Sequence, residues 1–558
     1  MTIWRAGCAL KATSSPPTNR HQRRSISTTS TVPSTSQALP DAARDRPGTH
    51  RRLILAAVSA GLFLAALDTY VVVTVLPRMM FDLALPLDRI EQATPIISGF
   101  LVGYIVTMPL TGALSDVYGR GRVYLTSLAV FAVGSTVTAT AGLTSFPSES
   151  LGGLPWLVTG RVLQGLGGGA LVPVALALAA DLFPAGSRGL PLGLIAAVQE
   201  SGSVSGPLYG AAVVGAASGL GGWRAIFWIN IPLTIVCAIV LAVAARDRSG
   251  PGSSAVAAEV DWTAAGLLGA GLALLVLALY PDDPSRHAVG PQFVPLGLAG
   301  LAALGGYAWR QSRQADPLIP PALLRNRTFI GANVTNLMVG AVLIVALVDV
   351  PIVARGVFGL GEIDAALLLA RFMVVIPVGA VAGGWLAGRI GYRWGATLGL
   401  AVAAVAFLRM SGWQADELRR VLLGLPDATV TLALCGLGFG LVIAPVAAAI
   451  LDRARDREHG LASSMVVLAR SLGMLLGLSA LAAFGIRRFY VLFNQAPLHP
   501  GSDPSATAAA LQARFTTALL EEYHEIFVIA AGICLLAAAV ALATLSGGGR
   551  RGAQAVAA

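Results

Sequence analysis

The sequence predicts an all-α integral membrane protein, and three observations carry that prediction. Of 558 residues, 55% are hydrophobic and 12% charged. A soluble domain carries about 25% charged residues, so this chain cannot clothe a water-exposed surface, and its mean hydropathy is +0.72. From Leu53 onward, apolar runs alternate with short polar breaks. The 64 Gly and 31 Pro suit close helix packing and interrupted helices in lipid.

The apolar runs fall near 53–76, 91–114, 123–143, 154–182, 190–215, 223–245, 262–280, 291–309, 328–354, 363–388, 394–410, 428–451, 460–486 and 524–546. Each is long enough, or nearly so, to cross a core of about 30 Å at about 1.5 Å per residue. The expectation is fourteen spans. The net charge of +10 comes from 38 Arg and Lys11. No patch of aromatics interleaved with basic residues accompanies it, so nucleic acid is not an expected partner. The charge instead follows the positive-inside rule: with both termini cytoplasmic, inner loops and the C-terminus carry sixteen Arg against eleven in outer loops.

The expected organisation is a disordered cytoplasmic tail over 1–52, a six-helix bundle over 53–245, and cytoplasmic links with two extra spans over 246–326. A second six-helix bundle over 327–546 and a cytoplasmic tail over 547–558 follow. The N-terminal stretch has no apolar core and is not a secretory signal. Cys8, Cys237, Cys435 and Cys534 lack CxxC spacing and predict neither a metal site nor a disulfide. No HExxH, GxSxG or phosphate-binding Walker sequence is present, so an enzyme is not expected, nor is ATP drive.

Two glycine-arginine turns repeat. Gly112-Ala-Leu-Ser-Asp116-Val-Tyr-Gly119-Arg120-Gly-Arg122 follows the second span, and Gly384-Trp-Leu-Ala-Gly388-Arg389-Ile-Gly391-Tyr-Arg393 follows the tenth. Repeated halves of this kind mark transporters. Further motifs are Leu67-Asp68-Thr69 in the first span, Arg161-Val-Leu-Gln164-Gly165 in the fourth, and Gly202-Ser-Val-Ser-Gly206-Pro207-Leu-Tyr-Gly210 in the fifth. The sixth opens with Trp223-Arg-Ala-Ile-Phe-Trp-Ile-Asn230-Ile-Pro232.

These residues, in this order, resemble the major facilitator superfamily and its fourteen-span drug/proton antiporter branch. Gln199-Glu200, Val348-Asp349-Val350 and His459-Gly-Leu-Ala-Ser, with Arg470 downstream, resemble more closely the mycobacterial triacylglyceride/lipid exporter group. The resemblance implies a multi-pass inner-membrane exporter driven by the proton gradient without another cofactor. Its cargo would be a lipid or an amphipathic small molecule, and a periplasmic lipid-carrying lipoprotein would be a partner; a monomer among membrane lipids is expected. The alternative is a multidrug/proton antiporter. The second turn departs from the pattern, because Gly388 stands where Asp116 does.

Five ionisable residues lie inside spans: Asp68, Arg161, Glu200, Arg371 and Arg470. Each costs about 2.5–3.5 kcal/mol at a helix centre, so they face a cavity or each other. Counted along their helices, they fall in one layer of roughly 7 Å. The expected pairs are Asp68 with Arg470, and Glu200 with Arg371 or Arg470, with Arg161 facing the cavity alone or sharing Asp68. They read either as a proton-coupled gate, in which separation of the halves frees an acid to take a proton, or as static ion pairs that fix helix register. Asp349, at an outer helix end, is expected in solvent.

Asp116, Arg120 and Arg122, with Gly112 and Gly119, read as an inner latch, Asp116 near a helix N-terminus and Arg120 bridging to a neighbouring helix. The alternative is that they are positive-inside anchors. Gly202, Gly206, Pro207 and Gly210 serve close packing, a kink, or prevention of leak. Finally, no Pro interrupts 460–494, and a second helical pattern starts after Pro504-Ser505. These predict two helical extensions beyond the membrane around a loop at 487–522, with 409–427 added to their rim; the alternative is a loop with a short surface helix.

Overall fold

A computed structural model describes residues 47–83, 94–143, 153–184, 187–216, 222–246, 261–279, 292–314, 317, 319–422, 424–455, 458–495 and 504–547. Of the tails expected at 1–52 and 547–558, residues 1–46 and 548–558 lie outside these residues, and 47–52 belong to the first helix. Helices occupy all fourteen apolar runs. The first half is α1 (Pro47–Asp82), α2 (Thr94–Tyr118), α3 (Arg120–Ala139), α4 (Gly153–Leu182), α5 (Gly189–Ala216) and α6 (Arg224–Arg246). Two helices, α7 (Trp262–Leu279) and α8 (Phe293–Gln311), lead to the short α9 (Pro321–Arg325). The second half is α10 (Arg327–Gly356), α11 (Glu362–Met373), α12 (Val375–Ile390), α13 (Tyr392–Met410), α14 (Asp427–Leu451), α15 (His459–Gln495) and α16 (Pro504–Thr544). A hairpin of β1 (Val421–Leu422) and β2 (Leu425–Pro426) precedes α14.

Twelve segments among the described residues are long and apolar enough to cross a membrane, α11 and α12 counting as one. The other two long helices are α5, which carries Gln199, Glu200 and three serines, and α8, which has Arg310 in its last turn.

The halves share one packing scheme. In the first, α1 packs on α5 and α6, α4 on α2 and α3, and α3 on α6. In the second, α10 packs on α15 and α16, α14 on α12 and α13, and α13 on α16. Between halves, α2 meets α15 and α5 meets α12, so the contacts also repeat in pairs. Helices α7 and α8 pack together, and α7 lies against α2 and α15 through Ile105, Leu268, Leu272, Val276 and Leu475. Asp261 fixes this hairpin. Its carboxylate accepts from the N–H groups of Thr263 and Ala264 at the start of α7 and from Arg310 of α8 at 2.7 Å. The Arg310 bond holds the Asp261 carboxyl well below the usual carboxylate range.

Helix α15 has 37 residues and α16 has 41, about 56 and 62 Å of helix. Both exceed a core of about 30 Å. Helix α16 begins at Pro504 itself, so Ser505 lies inside it. Past the apolar run of α15 the two pair through Phe489 against Phe515, Arg488 bound to both oxygens of Glu525, and Arg514 over the Phe493 ring. Trp413 of the 409–427 stretch is buried against Phe358 and Phe527 at the foot of this hairpin.

Candidate functional site

Two layers of charged residues stand out. One lies at the end of the bundle that carries the Gly112–Arg122 turn, here called the turn end; the other lies deeper.

At the turn end the halves meet at two corners built alike. In the first corner, Gly112 of α2 rests on Gly460 in the first turn of α15. In the second, Gly384 of α12 rests on Gly189 in the first turn of α5. A methyl group added at any of these four glycines would stand at or inside 2.5 Å from the facing carbonyl oxygen. Gly119 and Gly391 make the turns within the paired motifs at φ 93° and 90°, a region that favours glycine. Charges follow the same plan. In the first corner His459 bonds Asp181 at 2.7 Å, and Arg120 reaches Asp181 at 3.1 Å. In the second, Arg188 bonds Asp452 at 3.2 Å, and the Tyr392 hydroxyl donates to Asp452.

The corners differ in one place. Asp116 accepts at 3.0 Å from the backbone N–H of Gly460 and of Leu461, and it also pairs with Arg120. It therefore caps the N-terminus of α15, where a helix dipole favours an anion. Gly388 occupies the matching position in the second corner, with open space around it. Among the described residues, no ion pair joins Arg122 to the other half.

The deeper layer pairs as expected only in part: Arg161 shares Asp68 and Glu200 meets Arg470. Asp68 does not meet Arg470. Its Oδ2 accepts from Arg161 at 2.7 Å, and its Oδ1 from Asn230 at 2.8 Å and Gln164 at 3.3 Å. Gln164 also donates to Ser135 at 2.9 Å, and the Arg161 guanidinium lies over the Phe100 ring. Asp68, Gln164, Asn230 and Ser135 are 0% exposed and Arg161 is 1% exposed. This network ties together α1, α2, α3, α4 and α6 of one half. Gln164 and Asn230 were visible only as motif letters, and Ser135 carried no sequence signal.

Glu200 of α5 pairs with Arg470 of α15 at 3.1 Å, across the halves, with side chains 15% and 12% exposed. Each lies eleven residues from the start of its helix, about 16 Å from the turn end. Arg371 is not in this cluster: it is exposed at the end of α11 and donates to Thr429. Asp349 is not solvated: it is 2% exposed, covered by α16.

The antiporter-type glycines of α5 face α1. A methyl group on Gly202 would stand 2.6 Å from the Phe63 carbonyl oxygen, and one on Gly210 would stand 2.8 Å from Val71. Pro207 lies inside the helix, beside Gly206.

Residues 58–478 match the Major Facilitator Superfamily. The chain belongs to this superfamily. It is 40% identical over 506 residues to a triacylglyceride transporter of Mycolicibacterium smegmatis, covering 88% of this chain and 87% of that protein. It is 39% identical over 503 residues to one of Mycobacterium tuberculosis, covering 88% and 94%. Among solved structures, it resembles a proton:xylose symporter (TM-score 0.56, 14% identity, 91% and 99% covered). A human organic anion transporter is similar too (TM-score 0.54, 17% identity, 87% and 99% covered). These two show the fold. The protein is a multi-pass membrane transporter, and its bacterial relatives make the membrane the inner one.

Proposed function

We propose that this transporter exports lipids, triacylglycerides or glycolipids among them, by proton-coupled alternating access. It has fourteen spans, and the turn end and both termini are cytoplasmic. The observation that carries the coupling is the Glu200–Arg470 pair, a partly buried ion pair whose partners sit on opposite halves. Rocking the halves apart removes the arginine from the acid. An acid left without its cation in low dielectric takes a proton, so protonation is tied to which side is open. The Asp68–Arg161 network stays within one half and moves with it as a unit. The names of the relatives, and the long α15–α16 hairpin, support lipid as cargo. A lipid leaving the outer surface needs apolar shelter that a small drug does not. A periplasmic lipid-carrying lipoprotein would receive it, the proton gradient alone would drive it, and the protein works as a monomer.

The test is transport of labelled triacylglyceride by the reconstituted protein under an imposed proton gradient. Glu200→Gln abolishes gradient-driven transport, and Asp68→Asn lowers it. If both variants transport like the parent protein, the reading is wrong. Dye efflux that collapses with the gradient and ignores shortening of 487–522 would favour the multidrug antiporter instead.

A further inference from the structure

Asp349 and Glu522 are acids in the second half that none of the pairings above uses. Helices α10 and α16 pack antiparallel in one register. Gly331 touches Thr544, and Gly356 touches Leu519, an interval of 25 residues on each helix. Asp349 is therefore level with Ile526, one turn from Glu522. The two acids are 2% and 6% exposed. Asp349 Oδ2 is fully buried with no hydrogen-bond partner among the described residues. Glu522 Oε1 lies against Gly485 of α15, where a methyl group would stand 2.6 Å from it. Each acid is within electrostatic reach of the other, and Tyr523 is within reach of both. The same wall holds the indole N–H of Trp413, also buried without a partner.

The cations around the pair are engaged or turned outward. Arg488 of α15 binds both oxygens of Glu525 at 2.7 and 2.5 Å. Arg514 donates to the Phe493 carbonyl, Arg409 pairs with Asp427, and Arg420 pairs with Asp416 and Glu417. Arg470 is held by Glu200, and Arg371 by Thr429. Arg355 and Arg487 are exposed, as is the acid Asp364 of α11. His524 bonds the Trp413 carbonyl. The remaining neighbours on α16, Glu521 and Glu525, are acids. Among the described residues no cation lies within ion-pair distance of Asp349 or Glu522.

Two ionised carboxylates cannot both persist there. Each would lose its hydration, a penalty of several kcal/mol, and like charges sharing a site raise the cost further. We infer that Asp349 and Glu522 form a proton-binding site in the second half, with at least one carboxyl carrying a proton at neutral pH. The site stands at the foot of the α15–α16 hairpin, about 10 Å from the far end of α10. With the proton in place, α10, α15 and α16 pack together; without it, two like charges push α16 away from α10. The inference deepens the proton-coupled reading and rests on it for its role in transport, while its test reads protonation alone.

The test is infrared spectroscopy of the full-length protein in lipid nanodiscs through a pH titration, with hydrogen–deuterium exchange to identify the carboxylic-acid stretch. The parent protein shows this band at neutral pH, and the Asp349→Asn/Glu522→Gln double variant loses it. The pH at which the parent protein loses thermal stability on the alkaline side shifts by about one unit or more in the double variant. If Asp349→Asn prevents folding, Glu522→Gln alone carries the same comparison. A band unchanged in the folded variant overturns the proposal. So does stabilisation of the parent protein, but not the variant, by sodium at fixed pH, which would make this a metal-cation site. Glu200→Gln keeps the band, so failure of the coupling reading and failure of this one are told apart.

Discussion

The two corners that close the turn end use the same backbone contact and different chemistry. Gly112 on Gly460 and Gly384 on Gly189 are related by the internal repeat, as are the turns at Gly119 and Gly391. Asp181 and Asp452 each accept from the residue before a fifth-helix glycine and from the residue after the motif turn. Only the first corner adds an acid on the helix N-terminus. The difference teaches that close glycine packing is the shared scaffold of closure, and that the Asp116 cap is an increment on one side.

The comparison can be broken at the scaffold first. Gly112→Ala and Gly384→Ala each force backbones apart, at about 1–3 kcal/mol. Both should open the turn end by about 5–150-fold, read as maleimide labelling of a cysteine placed at Ser464, which is buried between the halves. Unequal effects would show that the corners do not share the load. Next, Asp116→Ala strands two N–H groups and removes a dipole partner, about 1–2 kcal/mol in favour of opening. Gly388→Ala, in open space, should leave labelling unchanged. The smallest effect sharpens the comparison: Gly388→Asp should slow labelling by building a second cap, at about 0.3–1 kcal/mol. Faster labelling in that variant would mean that the second corner cannot use an anion.

Much of this fold is legible in the sequence because lipid imposes length. Run lengths and polar breaks place the helices, and the repeated Gly-Arg turn announces the halves. Depth is legible too, since Glu200 and Arg470 lie equally far along equivalent helices. Direction is not. On a helix apolar all round, no stripe reports which way a residue points, so the sequence leaves Asp68 between Arg470 of the other half and Arg161 of its own, and the structure takes Arg161. Arg371 missed the cluster because the 363–388 run breaks at Val374 into α11 and α12, and an axial count through a break places nothing reliably. Asp349 is expected in water from its place near a helix end, but the register of α16 sets Ile526 and Glu522 beside it, a pairing that no single run reveals.

For the lipid cargo proposed above, the hairpin of α15 and α16 would change the energetics of leaving a membrane. Moving an acyl chain into water costs about 0.8 kcal/mol for every methylene, and a bare exit would demand the whole sum in one step. A wall bearing Phe489, Phe493, Phe515 and Leu511, on helices about 26–32 Å longer than the hydrocarbon core is thick, would divide that step into a staircase. A chain climbing it would give up one contact as it gained the next, so the height of the wall sets the length of cargo that can depart without being wetted all at once.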